Sequence, residues 1–526
     1  MPLADPSPNA ALSQRRAVAF LASPAAHGGA EVEHIETHLS HVFLAGQSAW
    51  KMKKALCVGF ADFDTLEKRR LSCAAELALN RRTAPELYLG LAALCDGPEG
   101  LRIDGPGAPV EYLVHMRRFP QEDLLDRVAT RGALDEAHVR ALADEISALH
   151  LSARRIAAAD QPEPFRTTLA ELTGRLETAA RGQPVAAAVA RWTSLITPRA
   201  PALCARLEAR ARHGAVRACH GDLHLGNICL YEGRIRLFDG IEFAPGFSRI
   251  DLLYDIAFTV MDLIHRGEAA LVPQLMSRYL AATRDYAALD LMAPLVSVRA
   301  AVRALVALMS PDAAQGAVTA GAFLDLAIAA CAPPPAPRLL AVSGRSGTGK
   351  STLAAGLARG LHGAVILRSD EIRKRMLGMA PEARPGPGAY APGVSARVYR
   401  RLFADARRAL RAGATVVLDA AFLEPQMQRH AAALAGACAL PFTGLWLDAD
   451  TETLCHRLAR RRGDASDADS AVMHRQPQAA PPPGWHCLDA APAPATVLAR
   501  ARQALDAAPG AGAGTGTGTG SCHHRT

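Results

Sequence analysis

Two groups of residues in this 526-residue chain have the types and spacing that phosphate chemistry requires. The first is His220-Gly-Asp-Leu-His-Leu-Gly-Asn227, followed by Phe238-Asp239-Gly240. Here Asp222 is a carboxylate able to accept the proton of an attacking hydroxyl. Asn227, five residues on, and Asp239 offer the amide and carboxylate oxygens that hold Mg²⁺ against phosphates. His220 is expected to brace the loop. The second group is Gly344-Arg345-Ser346-Gly347-Thr348-Gly349-Lys350-Ser351-Thr352, which satisfies G-x-x-x-x-G-K-[ST] directly after an apolar run. Glycines in such a loop let consecutive backbone N–H groups curl around phosphates, and the following helix adds its positive end. Lys350 would reach the β/γ-phosphates and Ser351 would ligate Mg²⁺.

Each group needs partners elsewhere. For the first, a strand lysine should reach the α/β-phosphates and pair with a helix glutamate. Lys51 and Lys53 both qualify, because alternate strand residues share a face, and Glu76 in the next helix is the natural partner. Lys51 is favoured over Lys53, and the choice stays open. For the second, Asp370 ends an apolar run and could orient or deprotonate an acceptor hydroxyl, with Arg373 meeting an anionic substrate. Asp419 ends another run, where a carboxylate would hold Mg²⁺ through water; either acid could instead cap a helix. Arg457 and Arg461 share a helical face ahead of a polar loop, as the arginines of a closing lid would, or as a solvated basic face would.

The elements that must position these residues fall into two patterns. Up to about residue 120, HVFLAG, SAWKMKK, YLGLAAL, LRIDG and VEYLVHMRRF read as strands around one helix, Leu66–Arg82, with a turn at Gly46-Gln47. Helical periodicity then takes over, with Val139, Leu142, Ala143, Ile146 and Leu149 on one buried face. After the proline-rich run at 331–338, short apolar strands alternate with helices, which implies a parallel sheet covered on both faces. The expected organisation is therefore a disordered 1–14, a domain over 15–330, a linker at 331–338, a second domain over 339–506 and a disordered tail at 507–526.

Composition narrows the class. Half the residues are hydrophobic and 21% are charged, ordinary for a globular protein. A net charge of +8 comes without the dense basic run that nucleic acid would call for. Eleven scattered cysteines without a C-x-x-C pair point to reduced thiols and a cytoplasmic setting. No secretory signal and no run of eighteen uninterrupted apolar residues is present, so no membrane partner is expected.

The stretches HVFLAGQSAWKMKKAL, CAAELALNRR, VHMRRFPQEDLLDR, CHGDLHLGNI, LFDGIEF and RIDLLYDIAF resemble the aminoglycoside phosphotransferase family, in the bacterial branch fused to a P-loop kinase. That resemblance implies an α+β protein-kinase-like bilobal domain using ATP and Mg²⁺ on a hydroxyl acceptor, with Asp255 buttressing the catalytic loop. It departs from the pattern in lacking a G-x-G-x-x-G loop between the first strands. SGRSGTGKST, RSDEIRK, VVLDAAF and RRRGDASDAD resemble the α/β P-loop kinases related to gluconate kinase and chloramphenicol phosphotransferase. Together they imply two ATP-dependent modules acting on small hydroxyl-bearing molecules. The alternative is a ligand-sensing pseudokinase that regulates a P-loop ATPase.

Overall fold

The computed structural model describes residues 8–58, 61–161, 163–310, 312–383, 385–460, 476 and 480–507. Its contacts group into two units, Met1–Arg266 with Pro294–Cys331, and Gly267–Ala293 with Ala332–Thr526.

In the first unit, six strands pair antiparallel in the order Val32–Glu36, Ser40–Ala45, Ser48–Lys53, Ala108–Arg117, Tyr88–Gly97 and Gly100–Ile103. Gly46, at φ +54°, makes the two-residue turn that pairs Ala45 with Ser48. That register fixes Lys51 opposite Val42 and Val114, in the middle of the sheet. The helix Leu66–Asn80 packs on the strand Ala108–Arg117. It starts where the Thr65 hydroxyl accepts the Lys68 N–H (3.2 Å), the usual saving of one unpaired donor at a helix N-terminus. The larger lobe is helical. Its helix Glu136–Ser152 buries Val139, Leu142, Ala143, Ile146 and Leu149, none more than 4% exposed.

The expectation of disorder over residues 1–14 is corrected for 8–14, while residues 1–7, like 508–526 of the expected disordered tail, lie outside the described residues. A helix spans Pro8–Leu21, and Gln14 on it donates to the Lys53 carbonyl (2.8 Å) and accepts from the Ala55 N–H (2.7 Å). One side chain thus closes both ends of a backbone segment beside the lysine strand. Nothing in the polar sequence of 1–14 signals such a long-range bond.

In the second unit, five parallel strands run in the order Val365–Arg368, Val416–Asp419, Leu339–Gly344, Phe442–Asp448 and His486–Asp489. The central strand Leu339–Gly344 is buried along its whole length, as a strand covered on both faces must be. The helices Lys350–Arg359 and Pro494–Ala507 contribute Leu353, Leu357, Val497 and Leu505 to the core beneath it. Trp485 lies against the backbone of Gly444, where any Cβ would meet its ring at 2.2 Å. It is a packing residue there.

Residues 267–293 group with this second unit, a division that the expected domain over 15–330 does not contain. Their helix Val272–Thr283 packs on the edge strand Val365–Arg368. The Ser277 hydroxyl accepts the Ile366 N–H at 2.8 Å, so a strand edge that would otherwise expose its donors is closed. Arg278, 5% exposed, pairs with Glu371 (3.2 Å) and Glu382 (2.8 Å). Replacing Arg278 with Met takes one arginine away from the buried Glu371, which also pairs with Arg375. The second unit should lose about 3 kcal/mol, since breaking a buried pair costs more than the pair contributes. Denaturant melts of the full chain check this; an unchanged midpoint would refute it.

Among the described residues, Tyr286–Leu308 is the one helix long and apolar enough to cross a membrane by length and composition. Of its most apolar window 56% is buried in the fold. Within it Arg299 donates to the Tyr254 carbonyl (3.0 Å) and Ser297 accepts from the buried Trp192 indole (3.0 Å). These are the marks of a core helix.

Candidate active sites

The first unit brings its predicted residues to one place. Lys51 Nζ lies 2.8 Å from Glu76 Oε1 and also pairs with Asp239. Lys53, 2% exposed, pairs with the other Glu76 oxygen (2.5 Å) and with Glu242 (2.6 Å). The two lysines therefore differ in what they can do. Lys53 is sealed between two buried acids, whereas Lys51 bridges the helix glutamate to the more exposed Asp239. Burial alone would push the Glu76 carboxyl up, but Lys51 and Lys53 together hold it at about 2.

The loop around Asp222 is tied down from several directions. Asn227 Nδ2 donates to the Asp222 carbonyl (2.9 Å) and to its Oδ2 (3.0 Å), leaving the Asn227 amide oxygen outside those bonds. Burial favours the neutral acid, yet His224, 3.4 Å away, then Arg303 and His220, hold Asp222 well below the usual carboxylate range. It is an ionised acceptor. His220 spans from the Asp222 N–H (3.4 Å) to the Phe238 carbonyl (2.9 Å), and burial lowers its pKa. A neutral ring accepting at Nδ1 and donating at Nε2 fits both bonds.

Asp255 supports the loop from below. Its oxygens accept the N–H groups of His220 (3.0 Å) and Gly221 (2.9 Å), with His150 Nε2 at 3.1 Å. Burial raises the Asp255 carboxyl, but the His150 bond and charge, His220 and Arg299 bring it down to about 2. The buried trio His150, Cys219 and Asp255 is close enough to hold a metal, but the hydrogen bonds already account for the carboxylate.

Several contributors were not singled out in the sequence. Asp262 accepts the Leu225 N–H (2.9 Å), and the Tyr88 hydroxyl accepts the Asp239 N–H (3.1 Å). Asn80 accepts from Gly240 N–H at 2.8 Å. The last two bond the backbone on either side of Asp239, whose left-handed conformation, φ +60°, Asp adopts more readily than most side-chain-bearing residues. Asn80 lies in the last turn of the predicted helix Leu66–Arg82 and Tyr88 opens a predicted strand, but neither carries a motif.

In the second unit the glycine loop links the central strand to the helix Lys350–Arg359. Gly344, Gly347 and Gly349 all have positive φ. A Cβ on Gly344 would lie 2.4 Å from the Leu447 carbonyl oxygen, so only glycine fits there. Lys350 Nζ donates to the Arg345 carbonyl (2.8 Å), as does the Thr348 hydroxyl (2.8 Å). Arg345 itself reaches the Ala449 carbonyl (3.2 Å), and Gln476 accepts the Ser346 N–H (2.9 Å). Thr352 is exposed on the first turn of the helix. Ser351 Oγ donates to Asp419 Oδ2 at 2.6 Å, joining the two predicted metal ligands. Asp419 caps no helix.

Asp370 stands half-buried in the first turn of the helix Ser369–Met376. Arg373 departs from its expected role towards an anionic substrate. It is 5% exposed, donates to the Ala389 carbonyl (2.8 Å) and Ser395 (3.2 Å), and lies over the Tyr390 ring. Its place there is to hold the entry to the helix Pro392–Arg411. Arg457 donates to the Ala491 carbonyl (3.0 Å), while Arg461 and the polar loop after it lie outside the described residues.

Two families of known proteins match the chain, each over its own stretch of the sequence. The phosphotransferase enzyme family matches residues 67–292, and an AAA domain family matches residues 339–483. An uncharacterized protein of Mycobacterium tuberculosis is 30% identical over 449 residues, which is 83% of this chain and 88% of the relative. A Mycobacterium bovis protein matches to the same extent. The chain belongs to the same family as these mycobacterial proteins. This chain carries a match to a phosphotransferase family and one to an AAA domain family in sequence. Among solved structures, a sugar kinase from Janibacter is 23% identical, covering 33% of this chain and 96% of its own, with a TM-score of 0.26. A choline/ethanolamine kinase family protein from Mesorhizobium loti is 16% identical, covering 59% and 99%, with a TM-score of 0.32. At these scores neither bears on how the two phosphotransferase sites are read.

Proposed function

We propose that both units are ATP-dependent kinases that pass the γ-phosphoryl group to hydroxyls of small molecules in the cytoplasm. The observation that carries this reading is the convergence of Lys51, Glu76, Asp239, Asp222 and Asn227 in one unit, together with the presence of an intact phosphate loop within the other. The donor sets, Asn227 with Asp239 and Ser351 with Asp419, consist of oxygens and suit Mg²⁺. Bound there, the ion would neutralise charge on the phosphates. Lys51, held by Glu76, orients the α/β-phosphates. Asp222 accepts the hydroxyl proton, and Asn227 fixes its direction. In the second unit the loop N–H groups and Lys350 cradle the phosphates, and Asp370 faces the acceptor. Acceptors are taken to be neither nucleic acid nor membrane.

Calorimetric titration of ATP·Mg²⁺ into the wild type and Lys350→Ala tests the reading. Two sites falling to one is the expected result. One site falling to none would show that the first unit holds no nucleotide and would overturn its half of the proposal.

A further inference from the structure

The second unit holds a cation where its metal ligands meet. Arg368 is the last residue of the strand Val365–Arg368 and is the register partner of Asp419 on the next strand. Its Nε lies 3.2 Å from Asp419 Oδ2, and its Nη2 donates to Ser351 Oγ at 2.9 Å. The guanidinium thus touches both members of the Ser351–Asp419 pair, which are themselves 2.6 Å apart. The Asp419 side chain is 5% exposed and that of Arg368 is 20% exposed. A buried carboxylate needs a compensating charge, and here an arginine of the same sheet supplies it.

A divalent ion cannot simply be added to this arrangement. The Ser351 hydroxyl donates to Asp419 and accepts from Arg368, so its oxygen is engaged on both sides. A second cation at the pair would also stand within a few ångströms of the guanidinium, where repulsion in a partly buried site is strong. Arg368 must swing away before the metal is seated. It sits at the carboxyl end of its strand, the end where ligands of parallel sheets bind, beside the loop that cradles the phosphates. A guanidinium released there has phosphate oxygens for new partners.

We propose that Arg368 is a built-in competitor for the divalent cation. It neutralises Asp419 in the nucleotide-free unit, keeps free metal out, and yields the position when the ion arrives together with nucleotide phosphates that take over the guanidinium. This rests on the kinase reading of the second unit only for the identity of the phosphate ligand. The competition itself is a property of Arg368, Ser351 and Asp419.

The test uses the full chain and Mn²⁺ alone, counted by electron paramagnetic resonance without nucleotide. Arg368→Met, similar in length and uncharged, should gain one Mn²⁺ site at least tenfold tighter than any the wild type shows at the pair. Adding Ser351→Ala to that variant should remove the gain, and Arg368→Lys should behave as the wild type. Equal Mn²⁺ binding by the wild type and Arg368→Met, with both chains melting within a few degrees of each other, would overturn the proposal. So would a gain that survives Ser351→Ala. A wild type that bound no ATP at the glycine loop would instead sink the kinase reading, because the Mn²⁺ comparison does not depend on it.

Discussion

Asp222→Asn is expected to lower phosphoryl transfer by the first unit about 10²–10⁴-fold, the range that a positioned general base supplies. The substitution keeps the shape of the side chain. It also keeps the bond from Asn227 to the backbone carbonyl of residue 222, so the loop should hold its course. What disappears is the negative charge that His224, Arg303 and His220 stabilise. ATP affinity should stay close to that of the wild type, because Lys51, Glu76 and Asp239 lie on other elements. ADP formation by Asp222→Asn in a Lys350→Ala background isolates this unit from its neighbour. Undiminished turnover there would remove Asp222 from the base role.

Asp255→Ala should have the largest effect on stability. Three donors, the N–H groups of His220 and Gly221 and the His150 ring, converge on a carboxylate with no exposure to solvent. Alanine removes the buried acceptor that all three share, at a cost on the order of 3–5 kcal/mol, which places the melting temperature of the first unit roughly 10 °C lower. Asp255→Asn retains one accepting oxygen and should lose less. Calorimetric melts of the full chain would reveal the shift; a change under about 2 °C for Asp255→Ala would show that the loop finds other support.

How far the sequence carried depends on whether a residue's role is local. The glycine loop was readable because backbone curvature at Gly344, Gly347 and Gly349 demands glycine at fixed spacing, whatever surrounds it. Asp222 and Asn227 were readable for the same reason, being two groups on one short loop. Most strands of the two large sheets were visible in their apolar runs, but Val32–Glu36 and His486–Asp489 were too short and too polar to stand out, and the short pairs Val216–Ala218 with Arg249–Asp251 and Ile228–Tyr231 with Arg234–Leu237 were not read as strands. Choosing between Lys51 and Lys53 needed the tertiary fold, since it turns on which lysine also meets Glu242 from a loop far along the chain. Arg368 was invisible as a contributor because its meaning comes from strand register against Asp419. Likewise the grouping of 267–293 with the P-loop unit has no compositional border, only a serine and an arginine whose partners come much later.

That displaced segment has a consequence for biosynthesis. Ser277 and the Ile366 N–H that it caps are separated by 89 residues. At a synthesis rate of about 5–20 residues per second, the helix Val272–Thr283 emerges from the ribosome roughly 4–18 s before the strand it covers. Leu275, Met276, Tyr279 and Leu280, all buried in the finished protein, have no sheet to lie against during that interval. The nascent chain therefore carries an unfinished apolar face through the completion of the first unit's last helices. A chain paused once the first unit's last helices have left the ribosome would display a kinase-like unit with the helix Val272–Thr283 still waiting for its sheet, and at that point it should depend most on a chaperone.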